Sequence, residues 1–409
     1  MKSSNPKILI LADQAVFSGT NFLLTILLAR TLDVAAFGRY SAVVLAMYLI
    51  VSVLNAIVVQ VVQVQAAAQK DSRAYISFSF WLQTVVLSGI LLVGGLVYRF
   101  LPLSLSLWTV LPLIWGFVMH DYFRKTLIAL GRTTQVLTID ILAAVAQIGA
   151  LVALFWLKGS LNLYLLLMGV AYVLPFVYGV FVLRPLLWSL RGQWSGFAAL
   201  HFTEGKWLLG SALVQWWAGN LFVVASGIYL GAQALGGLRL VQSLFGILNV
   251  LLQTFENYVL PTTATLLAKS RNDAAHYLVR TTQTAAILFV PVLLATAFFP
   301  KQIMQLVGGE VYMEYGFLLT GMACNYVLIY LAQPIRISIR VLLLNEYFFY
   351  GYVLTLIFAL SSSDFLLSNY GLIGVLVGLL SSQLILIVFW QLTLNNKKGF
   401  FSWKSFISF

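Results

Sequence analysis

Ionisable side chains are scarce in this chain, and several of them lie inside long apolar runs. Charged residues make up 9% of the sequence and hydrophobic residues 61%. An ionisable group inside a lipid-embedded segment is costly, so it normally faces a cavity or a partner and is a candidate functional residue. A carboxylate in such a position can take up a coupling proton or cation, and a guanidinium group can hold a phosphate through paired hydrogen bonds.

Arg239 is the basic residue that the sequence most favours as an anion ligand. It lies in the first turns of an apolar run, and it is the one basic residue within the apolar runs of the second half of the chain. It can face a cavity and bind phosphate, or extend to the lipid headgroups from a helix end, and the sequence leaves both alternatives open. Arg30 and Arg39 flank the first predicted outer turn, where contact with the membrane interface is the favoured interpretation.

Asp13 is the strongest acidic candidate, because it lies inside the first apolar run with Gln14 beside it. Asp13 can bind a coupling proton or cation, or it can pair with an arginine and hold helices together. Asp140 and Glu256 lie near the predicted inner ends of their helices, where an inner gate and plain solvation are both open interpretations. These four residues are therefore candidates for coupling or gating.

A compact group of charges ends the fourth apolar run. His120 and Asp121 closely precede Arg124 and Lys125. Charges at the end of a membrane helix are typically found at the water interface, where basic residues are enriched. The sequence therefore predicts an interfacial ion cluster at this position.

Long apolar segments must position all of these side chains. Since a membrane-spanning helix needs about 20 mostly apolar residues, 409 residues with a mean hydropathy of +0.95 allow roughly twelve such helices. The apolar runs are continuous rather than alternating, which excludes a membrane β-barrel and predicts an all-α integral membrane protein. The predicted spans are 8–30, 40–63, 76–98, 103–123, 136–157, 161–183, 207–230, 235–260, 282–300, 315–334, 347–367 and 371–393.

The distribution of basic residues predicts an orientation. With the N-terminus in the cytoplasm, 18 of the 24 Lys and Arg residues fall on the cytoplasmic side of the predicted spans. Cytoplasmic loops of membrane proteins are enriched in these residues, so both termini are expected in the cytoplasm. The same enrichment accounts for the net charge of +12, and no nucleic-acid partner is expected.

The two halves of the chain have similar patterns. Asn21 and Asn220 each stand seventeen residues before a glycine, Gly38 and Gly237, that marks the turn into the next predicted helix. Six spans in each half, starting on the same side of the membrane, indicate a parallel repeat.

A stretch that mixes basic, aromatic and leucine residues separates the two predicted halves. This composition is typical of a helix that lies along the membrane surface. The predicted domains are an N-terminal six-helix bundle over 1–190 and a C-terminal six-helix bundle over 191–409, which starts with an amphipathic linker over 191–206.

The sequence lacks the motifs of several enzyme classes. It contains no Walker A loop, no Gly-x-Ser-x-Gly elbow and no His-Glu-x-x-His motif. Its single cysteine, Cys324, cannot form an intrachain disulfide or a cysteine metal cluster. The sequence therefore predicts a protein that is not an enzyme, with no catalytic residues, no cofactor and no metal site.

Three segments resemble oligosaccharide flippases of the Wzx-like polysaccharide biosynthesis family. This family belongs to the multidrug/oligosaccharidyl-lipid/polysaccharide exporter (MOP) superfamily. The segments are LADQAVFSGTNFLLTILLARTLDVAAFGRYS near the N-terminus, YFRKTLIALGRTTQVLTID over 122–140, and GGLRLVQSLFGILNVLLQTFENYVLP over 236–261. In the first segment the matching features are Asp13-Gln14, Asn21-Phe22, Arg30 and Phe37-Gly38-Arg39-Tyr40.

The resemblance implies two six-helix bundles around a central cavity, in a multi-pass protein of the bacterial cytoplasmic (inner) membrane. It implies alternating access that carries a lipid-linked, polyprenyl-phosphate-type oligosaccharide from the cytoplasmic to the outer leaflet, for O-antigen, capsule or exopolysaccharide synthesis. Arg239, Arg30 and Arg39 are then the candidate phosphate ligands. Membrane lipids, a glycan polymerase and glycosyltransferases are the further partners that it implies.

Three other functions fit parts of the sequence. A drug or metabolite/cation antiporter of the same superfamily would have acidic residues in its cavity, and Asp13 and Glu256 are few for that role. A membrane-bound glycan polymerase or ligase would carry a large outer loop with catalytic charges, and the predicted spans leave no such loop. A non-transporting scaffold that recruits glycosyltransferases would carry the same basic inner loops.

Overall fold

The computed structural model describes residues 6–66, 72–98, 105–157, 159–189, 194–397 and 399–401. Within these ranges all regular secondary structure is helical. Residues 191–193 of the predicted linker lie outside the described residues. So do seven of the cations counted in the predicted orientation, which are Lys2, Lys70, Arg99, Lys158, Arg191, Lys398 and Lys404.

Six helices occupy the first half of the chain. Asp33 caps the second of them, because its Oδ1 accepts a hydrogen bond from the Ala36 amide at 2.8 Å. The second helix contains a π-helical turn at Asn55–Val59, and the sixth consists of two stretches joined at Tyr172. The six are α1 (Pro6–Thr31), α2 (Val34–Gln65), α3 (Ser72–Tyr98), α4 (Leu107–Ala129), α5 (Thr133–Leu157) and α6 (Leu161–Leu187).

Six more helices occupy the second half. A 3₁₀ turn at Glu310–Tyr315 leads into the fifth of them. The six are α7 (Trp194–Tyr229), α8 (Gly231–Leu267), α9 (Arg271–Phe298), the short α10 (Pro300–Gly308), α11 (Gly316–Val341) and α12 (Asn345–Asn396).

Helix α12 is divided by one residue. Gly371 has φ 55° and ψ −132°, a backbone conformation that favours glycine because it has no Cβ. It separates the 52 residues of α12 near their midpoint into an N-terminal and a C-terminal arm. Each arm is then about as long as one membrane-crossing helix.

The lengths of the helices confirm the predicted all-α membrane fold. Among the described residues, ten helices are long and apolar enough to cross a membrane. Helix α4 has a comparable length of 23 residues but carries a group of charged side chains, and α12 supplies two arms. The described part of the chain therefore contains twelve helical segments of membrane-crossing length. The predicted orientation of the termini stays a prediction.

The helices form two compact units. The first unit contains Met1–Leu32 and Ala42–Leu213, and the second contains Asp33–Ser41 and Val214–Phe409. Helix α2 therefore begins in the second unit and continues in the first, whereas α7 begins in the first unit and continues in the second. The predicted division into bundles at residue 190 stays a prediction.

Glycines allow the start of α2 to pack directly against α8 within the second unit. A Cβ atom added at Gly38 would overlap the carbonyl oxygen of Ala232, and one added at Gly236 would overlap the carbonyl oxygen of Val34. The two helix backbones are therefore in contact, as small residues permit where membrane helices cross closely. This contact gives a structural role to Gly38, one of the glycines that mark the predicted repeat.

The described part of the predicted linker is helical and begins α7. The chain is helical from Trp194, so residues 194–206 form the first turns of a 36-residue helix. His201 anchors these turns in the first unit, since its Nδ1 lies 2.9 Å from the Ile57 carbonyl oxygen and its Nε2 lies 3.1 Å from the Tyr75 hydroxyl. Trp194 and Phe197 also pack against the Phe78 ring, whereas Phe202 is exposed, and the position of these turns along the membrane surface stays a prediction.

Candidate functional site

A polar cavity of about 270 Å³ lies inside the second unit. Helices α7, α8 and α11 and the C-terminal arm of α12 form its wall. Amide side chains dominate the polar part of the lining, and no carboxylate is present among the described lining residues. The lining residues are Ala218, Gly219, Asn220, Arg239, Gln242, Asn249, Met322, Asn325, Tyr326, Ile329, Leu379, Ser382 and Gln383.

Arg239 carries the one formal charge among these described lining residues. Its Nη1 donates a hydrogen bond of 3.0 Å to Oε1 of Gln242, which lies one turn further along α8. The i, i+3 spacing brings the two side chains to the same face of the helix. Of the two alternatives that the sequence left open for Arg239, its position in the wall corresponds to the cavity-facing one. A guanidinium in a polar cavity can bind phosphate or carboxylate.

Asn325 is a lining residue that sequence reasoning missed. It is 5% exposed, and its Oδ1 has no hydrogen-bond partner within the described part of the chain. A buried polar atom without a partner costs free energy, so this oxygen can accept a hydrogen bond from a bound group. The sequence feature that could have indicated Asn325 is its amide side chain within the apolar run around Cys324.

Two further polar side chains of the wall are held by their own helices. Asn220 Nδ2 donates to the Trp216 carbonyl oxygen at 2.8 Å, and Ser382 Oγ donates to a carbonyl oxygen one turn earlier, also at 2.8 Å. Tyr326 stacks on Phe245, with the ring centroids 4.5 Å apart and 21° between the ring planes. These hydrogen bonds and this ring contact fix the positions of Asn220, Ser382 and Tyr326, and none of them involves a charged group.

The first unit contains a buried cluster of four ionisable side chains. Arg124 is at its centre, with Nη2 2.5 Å from Asp13 Oδ2 and Nε 2.7 Å from Asp140 Oδ2. His120 Nε2 lies 3.1 Å from Asp140 Oδ1. The Arg124 guanidinium also lies over the Phe17 ring, 4.4 Å from its centroid, in a cation–π contact. The cluster joins α1, α4 and α5.

The cluster corrects the predicted interfacial group of charges at the end of α4. His120 and Arg124 are 2% and 9% exposed, so both lie inside the protein. Carboxylates from α1 and α5 allow this burial by compensating the guanidinium charge. Asp13 pairs with an arginine, which is one of the two alternatives that the sequence left open for it. Asp121 and Lys125 form a separate ion pair of 2.8 Å that is less buried.

The remaining predicted residues of α1, α2 and α5 are not part of the cavity wall. Arg30 is exposed near the end of α1, and Arg39 is partly buried near the start of α2. Gln14 Nε2 donates to Ser18 Oγ at 2.8 Å, one turn along α1, rather than to its neighbour in sequence. Asp140 is 2% exposed, so ion pairing inside the protein replaces the plain solvation that the sequence allowed.

Glu256 joins α8 to α11 within the second unit. It is 8% exposed, and its Oε1 accepts a hydrogen bond from Arg340 Nη1. Arg336 Nε lies 3.6 Å from Glu256 Oε2, and the Arg336 guanidinium lies 5.7 Å from the centroid of the Phe348 ring. Glu256 is therefore an ion-paired residue rather than a solvated one, and gating stays a prediction.

The fold is that of several solved transporters. An inward-facing multidrug resistance MATE family transporter of the MOP superfamily has a TM-score of 0.71 and 13% identity, covering 97% of this chain and 96% of its own. The lipid II flippase MurJ, in an inward closed conformation, has a TM-score of 0.72 and 12% identity, covering 98% of this chain and 89% of its own. A mutant of the Vibrio cholerae MATE transporter VcmN has a TM-score of 0.64 and 16% identity, and the match covers 96% of this chain and 97% of the VcmN chain.

These likenesses establish the fold. This chain has the fold of MOP-superfamily transporters. No protein-family model matches the sequence, and neither does a curated protein. The chain is thus a multi-pass membrane protein with the superfamily fold that the sequence resemblance implies.

Proposed function

We propose that this protein is a flippase that moves a lipid-linked anionic glycan across the membrane by alternating access. The cavity of the second unit carries this proposal, because it combines Arg239 with amide and hydroxyl groups. An anionic sugar headgroup cannot cross hydrocarbon without a polar path. Amides and hydroxyls can exchange hydrogen bonds with sugar hydroxyls, and the guanidinium can bind an acidic group.

The proposed substrate is a polyprenyl-phosphate-type oligosaccharide, carried from the cytoplasmic to the outer leaflet of a bacterial inner membrane for surface polysaccharide synthesis. The sequence resemblance to Wzx-like flippases supports this choice, and so does the fold shared with the lipid II flippase MurJ. A glycan polymerase and glycosyltransferases are its proposed partners. Arg30 and Arg39 are proposed as further phosphate ligands that act outside the cavity wall described above.

The cavity chemistry favours this proposal over a drug or cation antiporter. A cationic substrate is best held by a carboxylate, and the described lining contains none. The acidic residues considered for that role are engaged elsewhere, since Asp13 and Asp140 contact Arg124 and Glu256 contacts Arg340. An altered drug susceptibility in a strain that lacks the protein would instead favour the antiporter.

The ion cluster of the first unit is the proposed site of cation coupling. Two carboxylates in this cluster, those of Asp13 and Asp140, share the single guanidinium of Arg124. Uncompensated charge inside a protein is costly, so one proton or one sodium ion would stabilise the cluster. Imposing a proton or a sodium gradient should therefore accelerate transport by the wild type and not by Asp13→Asn. Equal acceleration of both proteins would remove Asp13 from coupling.

Gln14 and Glu256 are proposed to act in gating. The ion pair between Glu256 and Arg340 joins two helices and can break if those helices separate during transport. Gln14 lies next to Asp13 on α1 and bonds Ser18. We therefore expect a change in the charge of the cluster to alter the position of the Gln14 side chain. Substitution of either residue should change the transport rate while the affinity of the cavity for sugar stays the same.

The main test is a flipping assay in proteoliposomes. The probe is a short-chain polyprenyl-diphosphate disaccharide that contains one glucuronic acid residue and carries a nitrobenzoxadiazole label on the other sugar. Dithionite reduction of the label reports the fraction of the probe in the outer leaflet. Wild-type protein should accelerate flipping. Arg239→Ala should slow it about tenfold or more, because a hydrogen bond to a charged group contributes about 1.5–3 kcal/mol.

The matched control for this assay is Arg280→Ala. Arg280 is exposed on α9 of the same unit and is not a cavity residue, so its substitution should leave the flipping rate unchanged. A wild-type rate equal to that of protein-free liposomes would contradict the proposed function. A normal rate for Arg239→Ala would remove this cavity from the transport path.

A further inference from the structure

Asn325 provides the first observation about what the cavity recognises. Its side chain is almost completely buried in the cavity wall, and its Oδ1 has no hydrogen-bond partner in the described ranges. An amide oxygen is an acceptor only, so it needs an N–H or O–H donor. Sugar hydroxyls and the N–H of an N-acyl substituent are such donors. The group that satisfies Asn325 must therefore carry a donor, which the dianion of a phosphate monoester lacks.

The charge of the wall provides the second observation. Arg239 is the only formally charged residue among the described lining residues, and it engages the carbonyl oxygen of Gln242. The amide nitrogen is then the group that Gln242 can offer to a ligand, so a second donor lies beside the guanidinium. A guanidinium with a neighbouring N–H donor is suited to one anionic group. It is poorly suited to a cation or to a fully neutral ligand.

The size of the cavity provides the third observation. Its volume of about 270 Å³ is just below the roughly 300–1,000 Å³ that is usual for sites of drug-sized ligands. A single sugar ring with its substituents fits this space. An oligosaccharide or a polyprenyl tail does not, so both would have to lie outside the cavity while one ring occupies it.

We propose that this cavity is a recognition subsite for one acidic sugar residue of the transported glycan. The anionic group of that residue, a carboxylate or a phosphate monoester, binds Arg239. A ring hydroxyl or N-acyl N–H of the same residue donates to Asn325 Oδ1. This inference rests on the proposed function but goes further, because it assigns the specificity for an acidic ring to two named residues.

The test measures binding of small probes to the purified full-length protein in detergent micelles by isothermal titration calorimetry. The probes are glucuronic acid, glucose 6-phosphate, glucose and inorganic phosphate. Glucuronic acid or glucose 6-phosphate should bind at least about tenfold more tightly than glucose, because the charged hydrogen bond to Arg239 is added. Whichever acidic probe binds more tightly identifies the type of anionic group. Inorganic phosphate should bind more weakly than either, since it has no ring to contact Asn325.

Two substitutions separate the two recognition contacts. Arg239→Met should abolish the preference for acidic over neutral sugar and leave the affinity for glucose nearly unchanged. Asn325→Leu should weaken acidic and neutral sugars equally, by about tenfold, because the acceptor is lost from the site. Asn325→Asp, which keeps the size of the side chain, should lower the preference for acidic sugars by placing a carboxylate in the wall. Asn325→Asp also tests the role of Asn325 if Asn325→Leu does not fold.

Gln333→Leu is the matched control for Asn325→Leu. Gln333 lies on the same helix, is 2% exposed and also has a buried side-chain oxygen without a partner in the described part of the chain, but it does not line the cavity. It should leave all sugar affinities unchanged. Equal binding of acidic and neutral sugars by the wild type, or normal binding by both Asn325 variants, would overturn the subsite.

The flipping assay, run in parallel, separates failure of the subsite from failure of the proposed function. A wild type that flips the lipid-linked probe but shows no preference for acidic sugars would refute the subsite alone. A wild type that does not flip the probe would refute the proposed function, whatever the affinities for free sugars.

Discussion

The two units surround an arginine within an apolar helix in opposite ways. In the first unit Arg124 contacts two carboxylates, Asp13 and Asp140, and lies over the Phe17 ring. In the second unit Arg239 lies in a cavity whose described lining has amides and hydroxyls but no carboxylate. A guanidinium between carboxylates is already neutralised and mainly joins helices, whereas one among amides can bind an external anion. Neighbouring side chains therefore decide the role of an arginine within a membrane helix.

The two units can be compared because each has the same hydrogen bond from an asparagine to a carbonyl oxygen one turn earlier in its helix. Asn21 on α1 donates from Nδ2 to the Phe17 carbonyl oxygen at 2.9 Å, and Asn220 on α7 makes the same bond to the Trp216 carbonyl oxygen at 2.8 Å. These two asparagines are the corresponding positions of the predicted repeat. The repeated positions thus keep one backbone contact while the surrounding chemistry differs between a charged cluster and a neutral cavity.

Replacing Arg124 is expected to have the largest effect on stability. Arg124→Leu leaves Asp13 and Asp140 buried without a cation, and breaking a buried ion pair by removing one partner typically costs about 3–5 kcal/mol. Arg239→Leu should cost less than about 1 kcal/mol, since no described carboxylate in its cavity loses a partner. Thermal unfolding of the detergent-solubilised proteins would measure both changes.

A triple variant controls for the loss of the Arg124 side chain itself. Adding Asp13→Asn and Asp140→Asn to Arg124→Leu removes the uncompensated carboxylates, so it should restore part of the lost stability. If Arg124→Leu and Arg239→Leu were equally destabilising, the two arginines would play the same structural role and the contrast between the units would be lost.

The sequence predicted the helices well because apolar runs of membrane length leave the backbone no alternative to a helix. It also indicated a polar environment for Arg239, since a single arginine in an apolar run needs one, and Arg239 lines the cavity of the second unit. Its role as a phosphate ligand stays a prediction. The partner of Asp13 could not be predicted in the same way. Arg124 lies 111 residues away, and the sequence does not specify which helices bring the two together.

The amides of the cavity show a different limit of sequence-based reasoning. Asn325 and Gln333 are both amides in the same helix, and both have a buried oxygen without a partner in the described residues, yet only Asn325 faces the cavity. An amide in a membrane helix is most simply a hydrogen-bond partner for a neighbouring helix. Which one is left to face a cavity depends on the packing of four helices, and this is not encoded in spacing along the chain.

Replacing Glu256 is expected to have an intermediate effect. Glu256→Gln removes the carboxylate that Arg340 and Arg336 share, but the side chains of these arginines are 43% and 33% exposed and can be solvated. The expected loss is about 1 kcal/mol, smaller than for Arg124→Leu because the charges are partly screened. Thermal unfolding again provides the measurement, with the exposed Glu310→Gln as a control that should show no change. A loss as large as that of Arg124→Leu would mean that the second unit also depends on a tightly buried ion cluster.

The smallest stability effects, and the sharpest functional contrast, are expected for the two repeated asparagines. Asn21→Ala and Asn220→Ala each remove one hydrogen bond to a carbonyl oxygen of the same helix, so each should cost less than about 1 kcal/mol. Asn220 also lines the cavity, so only Asn220→Ala should slow flipping of the lipid-linked probe, by about threefold if one neutral hydrogen bond to the sugar is lost. Equal flipping rates for the two variants would show that the wall of α7 does not contact the substrate, and the difference between the units would then be structural alone.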